Sequence, residues 1–249
     1  MIWVSFWIVM LTTSFVVLSI TGILVLSGTS LGLGFSSSDW SGYTVASNML
    51  LPQPLVSAVS GSWIVPSVEV SKGDTFTAVW IGVGGQFDNS LIQVGTEQDS
   101  VNGQRSYSAW YEILPNYALG IETLTVSPGD KINASISLID ANTLLWSISI
   151  ADLSTGQEYH NALRYNSSRL TAEWIVERPT LNNSITNLAN FSHVTFTNMN
   201  AVINNINGGV DKFSFSRLTM LDRQNNPLVS VSQYSPQKRS FSITFLRPN

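Results

Sequence analysis

The chain contains no cysteine in 249 residues. Disulfides, thiolate nucleophiles and cysteine-ligated zinc are therefore excluded, and the fold must rest on packing alone. Charge is also scarce. Asp, Glu, Lys and Arg make up 11% of the residues, against roughly 25% in ordinary soluble domains. The surface must then be built largely of Ser, Thr and Asn, and such a surface changes little when carboxylates protonate. Only two histidines are present, His160 and His193, and neither lies in an H-E-x-x-H pattern, so no catalytic metal and no cofactor are expected. G-x-S-x-G, D-T-G and D-S-G are all missing. The net charge of −4 and the lack of a basic stripe exclude a nucleic-acid partner. Six of the Lys and Arg residues fall after residue 200, giving that tail +4 and the remainder −8; they read as solvated strand edges.

No charged side chain occurs before Asp39. Residues 1–27 form an uncharged, mainly apolar stretch long enough to cross a bilayer, which takes about 20 residues. It lacks the basic start and short apolar core of a cleavable leader, so a hydrophobic N-terminal helix acting as a membrane anchor is expected, with a signal peptide as the other reading. Both send the rest of the chain out of the cytosol, secreted or held on the outer membrane face. N-x-S/T triplets at Asn133, Asn166, Asn182 and Asn190 are compatible with that location. Residues 28–38 read as a flexible Gly/Ser linker, and residues 39–249 as one domain.

Within that domain no long amphipathic helix is apparent. Short alternating runs rich in Val, Ile, Thr and aromatics are punctuated by turn signals such as Asn102-Gly103 and Ser127-Pro128-Gly129-Asp130. Many short strands at close spacing predict an all-β, antiparallel β-sandwich.

The two-residue period of a strand then sorts side chains by face. In LTAEWIVERP, Leu170, Ala172, Trp174 and Val176 form a core face, with Thr171, Glu173, Ile175 and Glu177 opposite. In LIQVGTEQ the second face carries Leu91, Gln93, Gly95 and Glu97. In TAVWIGVGG it carries Trp80, Gly82 and Gly84, and in SYSAWYEIL it carries Trp110 and Glu112. Trp, Gln, Glu and Gly recur on this side. Large aromatics beside glycines suit a groove for an extended ligand, the glycines letting it approach the backbone.

The motifs SGSWIVP, AVWIGVGG, LIQVGTEQ, YSAWYEILP, TAEWIVERP and ANFSHVTFTN occur in the order and approximate spacing of the glutamic peptidases, or eqolisins. From about Trp40 to Asn205 the chain resembles that family. The resemblance implies a concanavalin A-like sandwich of two antiparallel sheets and polypeptide substrates. It also implies a catalytic pair on the concave sheet, here Glu173 and Gln93. Trp80 and Trp110 match cleft aromatics, with Glu112 and Glu97 beside them on the substrate face. Family members often carry Asp where this chain has Gly84 and Ser108, which leaves its site poorer in acids.

The expected chemistry is hydrolysis of a peptide bond by an activated water. Glu173 takes the proton from the water and hands it to the leaving amine, while the Gln93 amide donates to the developing oxyanion. A free Glu titrates near pH 4.3, so activity in acid is expected. Two other readings rest on the same face. One is a non-catalytic sandwich that binds carbohydrate or peptide with Trp80 and Trp110 as stacking platforms. The other is a glycosidase pairing Glu173 with Glu112 or Glu97.

Overall fold

A computed structural model describes residues 32–248. In chain order the strands are β1 (Gly32–Ser37), β2 (Trp40–Ala46), β3 (Val56–Ile64), β4 (Ala78–Gly84), β5 (Leu91–Val101), β6 (Gln104–Ile113), β7 (Leu119–Gly120), β8 (Lys131–Asp140) and β9 (Leu145–Asp152). They continue as β10 (Gln157–Arg164), β11 (Ala172–Glu177), β12 (Thr180–Leu181), β13 (Ser184–Ile185), β14 (His193–Ile203), β15 (Ile206–Gly208), β16 (Ser214–Met220), β17 (Val229–Val231) and β18 (Phe241–Phe245). One 3₁₀ turn, Val210–Lys212, is the helical content of the described residues.

Two sheets carry the fold. The first runs β1-β16-β2-β11-β4-β5-β6-β7, and the second β10-β9-β8-β3-β14-β18-β17, with β15 also paired to β14. Every strand pair is antiparallel except β1 with β16, which is parallel. The strand β1 falls within the Gly/Ser stretch expected to be a linker; the backbone of β16 gives Gly32–Ser37 a ladder that their own composition does not announce. The hydrophobic N-terminal segment, residues 1–27, lies outside the described residues. Among the described residues no helix is long and apolar enough to cross a membrane.

The alternation read from sequence becomes the inter-sheet core. On β9, Trp146, Ile148 and Ile150 point inward with exposures of 0% while the residues between them are half-exposed. From the first sheet Val79, Ile81, Val83, Val94, Trp174 and Val176 join them in one apolar cluster. Burying each such side chain contributes about 1.5–3 kcal/mol, which is how a chain without disulfides holds together. Two indoles pin the sheets to each other: Trp174 Nε1 donates to the Ser60 carbonyl at 2.9 Å and Trp63 Nε1 to Thr96 Oγ1 at 3.0 Å. Both satisfy a polar group that burial would otherwise penalise.

The centre of the first sheet departs from simple alternation. Strand β4 is buried at all seven positions and β11 at all but Glu177. Its outer face bears a second apolar cluster of Ala78, Trp80, Leu91, Trp110, Ile175 and Leu218, with Trp40 and Leu114 packed against it. Of these, Trp80, Leu91, Trp110 and Ile175 are the residues whose parity set them opposite the main core.

Candidate active site

The pairing of β11, β4, β5 and β6 lines up one row of side chains across the sheet. Glu173 stands opposite Gly82, Gly82 opposite Gln93, and Gln93 opposite Glu112. On the other side of Glu173 the row continues through Thr44 to Ser216. Adjacent strands are about 4.8 Å apart, so Glu173 and Gln93 rise from backbones roughly 10 Å apart with only a glycine between them. Both are closed off from solvent, Glu173 at 0% and Gln93 at 4% exposure.

Their polar atoms are unequally satisfied. Gln93 Nε2 donates to Glu112 Oε2 at 2.5 Å, whereas Gln93 Oε1 has no partner. Neither carboxyl oxygen of Glu173 makes a hydrogen bond of normal geometry. Burial therefore pushes the Glu173 pKa well above the ordinary Glu range; the nearby Thr171 hydroxyl opposes this and the Asp88 carboxylate adds to it. The Glu112 pKa is raised too, chiefly by burial, with the Gln93 hydrogen bond pulling the other way.

One row along, Ile175, Trp80, Gly95 and Trp110 are opposed in turn. A Cβ on Gly95 would lie 2.5 Å from Trp80 Cβ and 2.4 Å from the Val79 carbonyl oxygen. The glycine thus exists to let Trp80 lie against the sheet, not to admit a ligand to the backbone. The indole extends over the neighbouring row, where a Cβ on Gly82 would meet its Cζ3 at 2.9 Å. Trp80 is fully buried and Trp110 8% exposed, so neither presents an open stacking face.

A further row holds Trp40, Glu177, Ala78 and Glu97. Glu177 accepts a 2.8 Å hydrogen bond from Trp80 Nε1, and Trp40 meets Trp80 edge-on at 4.9 Å. Burial first, then the Asp39 carboxylate, push the Glu177 pKa up to about 8. Glu97 shares its strand face with Asp99, whose pKa rises to about 8 through burial and the charge of Glu97. Burial also raises that of Glu97.

Of the residues singled out from sequence, Glu173, Gln93, Trp80, Trp110, Glu112 and Glu97 are all brought to this face. Glu177 and Trp40 join them; parity had already placed Glu177 here, but its bond to Trp80 was not foreseeable. Gln86 was missed altogether. It lies in the β4–β5 loop, where Gly84 and Gly85 have φ values of +89° and +100° that turn the chain back over the sheet. Its Oε1 accepts from the Thr44 hydroxyl and its Nε2 donates to Ser216 Oγ at 3.3 Å, which ties the loop to the row containing Glu173. A loop glutamine carries no periodic signal that would have marked it. Among the described residues no group of three His, Asp or Glu side chains is arranged to hold a metal.

Comparison with known proteins bears on this arrangement. Residues 38–245 match the model of the Peptidase A4 family, reaching well past Asn205, where the motif resemblance fades. Aspergillopepsin-2 of Aspergillus niger is 28% identical over 234 residues, covering 84% of this chain and 78% of that protein. The aspergilloglutamic peptidase structure from Aspergillus niger superposes with a TM-score of 0.61 at 26% identity, over 69% of this chain and 99% of the other. Scytalido-glutamic peptidase, solved with a transition-state analogue inhibitor, gives a TM-score of 0.70 at 22% identity, over 84% and 99%, and so supports the fold. A family match spanning most of the chain, on a two-sheet fold shared with glutamic peptidases, gives the conclusion: the chain belongs to the Peptidase A4 family, the eqolisins, and is a glutamic endopeptidase.

Proposed function

We propose that this peptidase works through Glu173 and Gln93, is active in acid, and acts outside the cytosol. The observation that carries the reading is the row Glu173–Gly82–Gln93, in which two buried polar side chains flank a position without a side chain. The Trp80 indole rim and Leu91 Cδ1 cover Gly82, so a scissile carbonyl and a water would come between the carboxyl and the amide as these two side chains move aside. Gln93 has one N–H engaged by Glu112 and a second left to donate to the oxyanion, the role that lowers the barrier in acyl transfer. Its free Oε1 is an acceptor for the attacking water.

Glu173 serves as base and then as acid. Desolvation keeps its carboxyl neutral, the form that protonates a leaving amine. The base form is reached when a water in the site donates to the carboxyl and offsets part of that desolvation. This revises the reason for acid activity, since Glu173 does not titrate like a free Glu. Acid instead keeps Glu97, Asp99, Glu112 and Glu177 neutral on one crowded face, and their ionisation at higher pH sets charge against charge around the substrate.

Substrates are polypeptides in extended form, matched to a face built from strands. We read residues 1–27 as the segment that directs the chain outward, leaving it secreted or membrane-held. The direct test is digestion of an acid-unfolded protein by the parent and by Glu173→Gln. The variant is expected to keep the parent's circular dichroism and lose cleavage. A folded variant that cleaves at the parental rate would sink the assignment.

A further inference from the structure

Arg178 is the first residue after β11, and among the described residues it is the only buried Lys or Arg, with 6% exposure. Its Nε donates to the Ser38 carbonyl at 2.7 Å and its Nη2 to the Leu221 carbonyl at 3.4 Å. Among the described residues no carboxylate reaches ion-pair distance of its guanidinium. The two nearby acids are committed elsewhere. Asp39 accepts from the Ser37 and Ser38 hydroxyls. Asp222 pairs with Arg247 at 2.5 Å and accepts from the backbone N–H groups of Gln224 and Asn226. A desolvated cation without a direct ion pair is costly, and burial depresses the Arg178 pKa, with the Asp39 and Asp222 charges opposing the shift and Arg223 adding to it.

This guanidinium lines a polar cavity of about 760 Å³ bounded by the end of β1, the turn after β16 and the β12–β13 hairpin. Ser36, Asn183, Gln224 and Asn225 contribute neutral hydroxyls and amides, and Arg223 contributes a second cation. The one acid in the lining, Asp222, is the one neutralised by Arg247. Arg223 belongs to the basic tail that the sequence presents as solvated strand edges.

We propose that this cavity is an anion-binding site that takes an oxoanion on the guanidinium of Arg178, with the exposed Arg223 as its second cation. The planar guanidinium fork suits two oxygens of one anion. Carboxylate, sulfate and phosphate share that chemistry, and the space beyond the anion accommodates a short peptide ending in a carboxylate. The site is separate from the row of Glu173 and Gln93: Arg178 has the opposite strand parity to Glu173 and lies five residues on, roughly 17 Å along an extended chain. An anion there would tie together three segments that otherwise meet mainly through neutral groups.

The test is thermal unfolding near pH 5, where terminal carboxylates are ionised, in millimolar sulfate or phosphate against chloride at equal ionic strength. Parallel arms use trialanine and its C-terminal amide. A saturable rise in the midpoint, about 5 °C at about a hundredfold over Kd, is expected with the anions and absent in chloride. A rise with trialanine but not its amide assigns the site to peptide carboxylates; a rise with sulfate and phosphate alone assigns it to inorganic anions. Arg178→Met should abolish the saturable part and Arg223→Gln, an exposed change compatible with folding, should weaken it roughly two- to fivefold. No saturable rise in the parent, or an undiminished one in Arg223→Gln, overturns the proposal, as does an undiminished one in a folded Arg178→Met protein.

Discussion

Gln93 is anchored on one side and open on the other. The anchor is Glu112, whose carboxyl accepts from Nε2 and so fixes which way the amide faces. In the proposed mechanism that orientation matters as much as the amide itself. Gln93→Ala is expected to lower turnover by about 10²–10³, the usual weight of an oxyanion donor, with a smaller effect on substrate binding. Glu112→Ala leaves the donor in place but free to rotate, so the expected loss is about tenfold, the worth of one hydrogen bond. Glu112→Gln retains a carbonyl acceptor for the Gln93 amide and should recover most of that loss, while removing any step in the pH–rate profile that belongs to Glu112. Steady-state kinetics of the three variants across the acid range check the ordering. Equal losses in Glu112→Ala and Glu112→Gln would show that orientation of Gln93 is not what Glu112 supplies.

At the scale of the strand pair, the two glycines packed against Trp80 do different work. The Cβ absent from Gly95 would meet a backbone carbonyl and the Trp80 Cβ, neither of which can swing aside. Gly95→Ala therefore forces β4 and β5 apart locally, and a loss of about 1–3 kcal/mol in denaturant unfolding is expected, as for an overpacked core. The Cβ absent from Gly82 would meet the rim of the indole and Leu91 Cδ1 at 3.0 Å, both of them side-chain atoms. Gly82→Ala should fold with less penalty but narrow the gap between Glu173 and Gln93. Its cleavage should fall further than its stability. If Gly82→Ala cleaves normally, the substrate does not pass over that position.

For the whole molecule, the outer face of the first sheet makes stability depend on pH in an unusual direction. Glu173, Glu177, Asp99, Glu97 and Glu112 all have pKa values raised by burial. A carboxyl whose folded pKa lies above its unfolded pKa binds more protons in the folded state between the two values. Its contribution is complete below about pH 4 and is lost as pH rises toward about 8, the level reached by Glu177 and Asp99. Each tenfold gain in proton affinity on folding corresponds to about 1.4 kcal/mol. Relaxation and water entry reduce that, so a loss on the order of a few kcal/mol is expected across this range. Denaturant midpoints near pH 4 and pH 7.5 test this: the protein should be more stable at the acid end. A midpoint that rises toward neutrality would mean that these carboxyls are paired or hydrated.

The sequence by itself determined which side chains share a face. The period of a strand is local and needs no knowledge of its neighbours, so Trp174 with Val176, and Glu173 with Ile175 and Glu177, sort correctly from one decapeptide. The absence of cysteine and of helical periodicity likewise sufficed for a packed all-β sandwich, and linked motifs for the family. Only the tertiary structure decided who stands beside whom. Glu173 and Gln93 are 80 positions apart, and a strand between them supplies Gly82, because β4 pairs with both of their strands. The same long-range pairing put Glu112 on Gln93, made Gly32–Ser37 a strand beside β16, and left Arg178 at the wall of a cavity with no direct ion pair among the described residues. Burial followed from it too, and with burial the raised carboxyl pKa values. Pairing and burial depend on contacts between distant segments, which the spacing of residues along one strand does not encode.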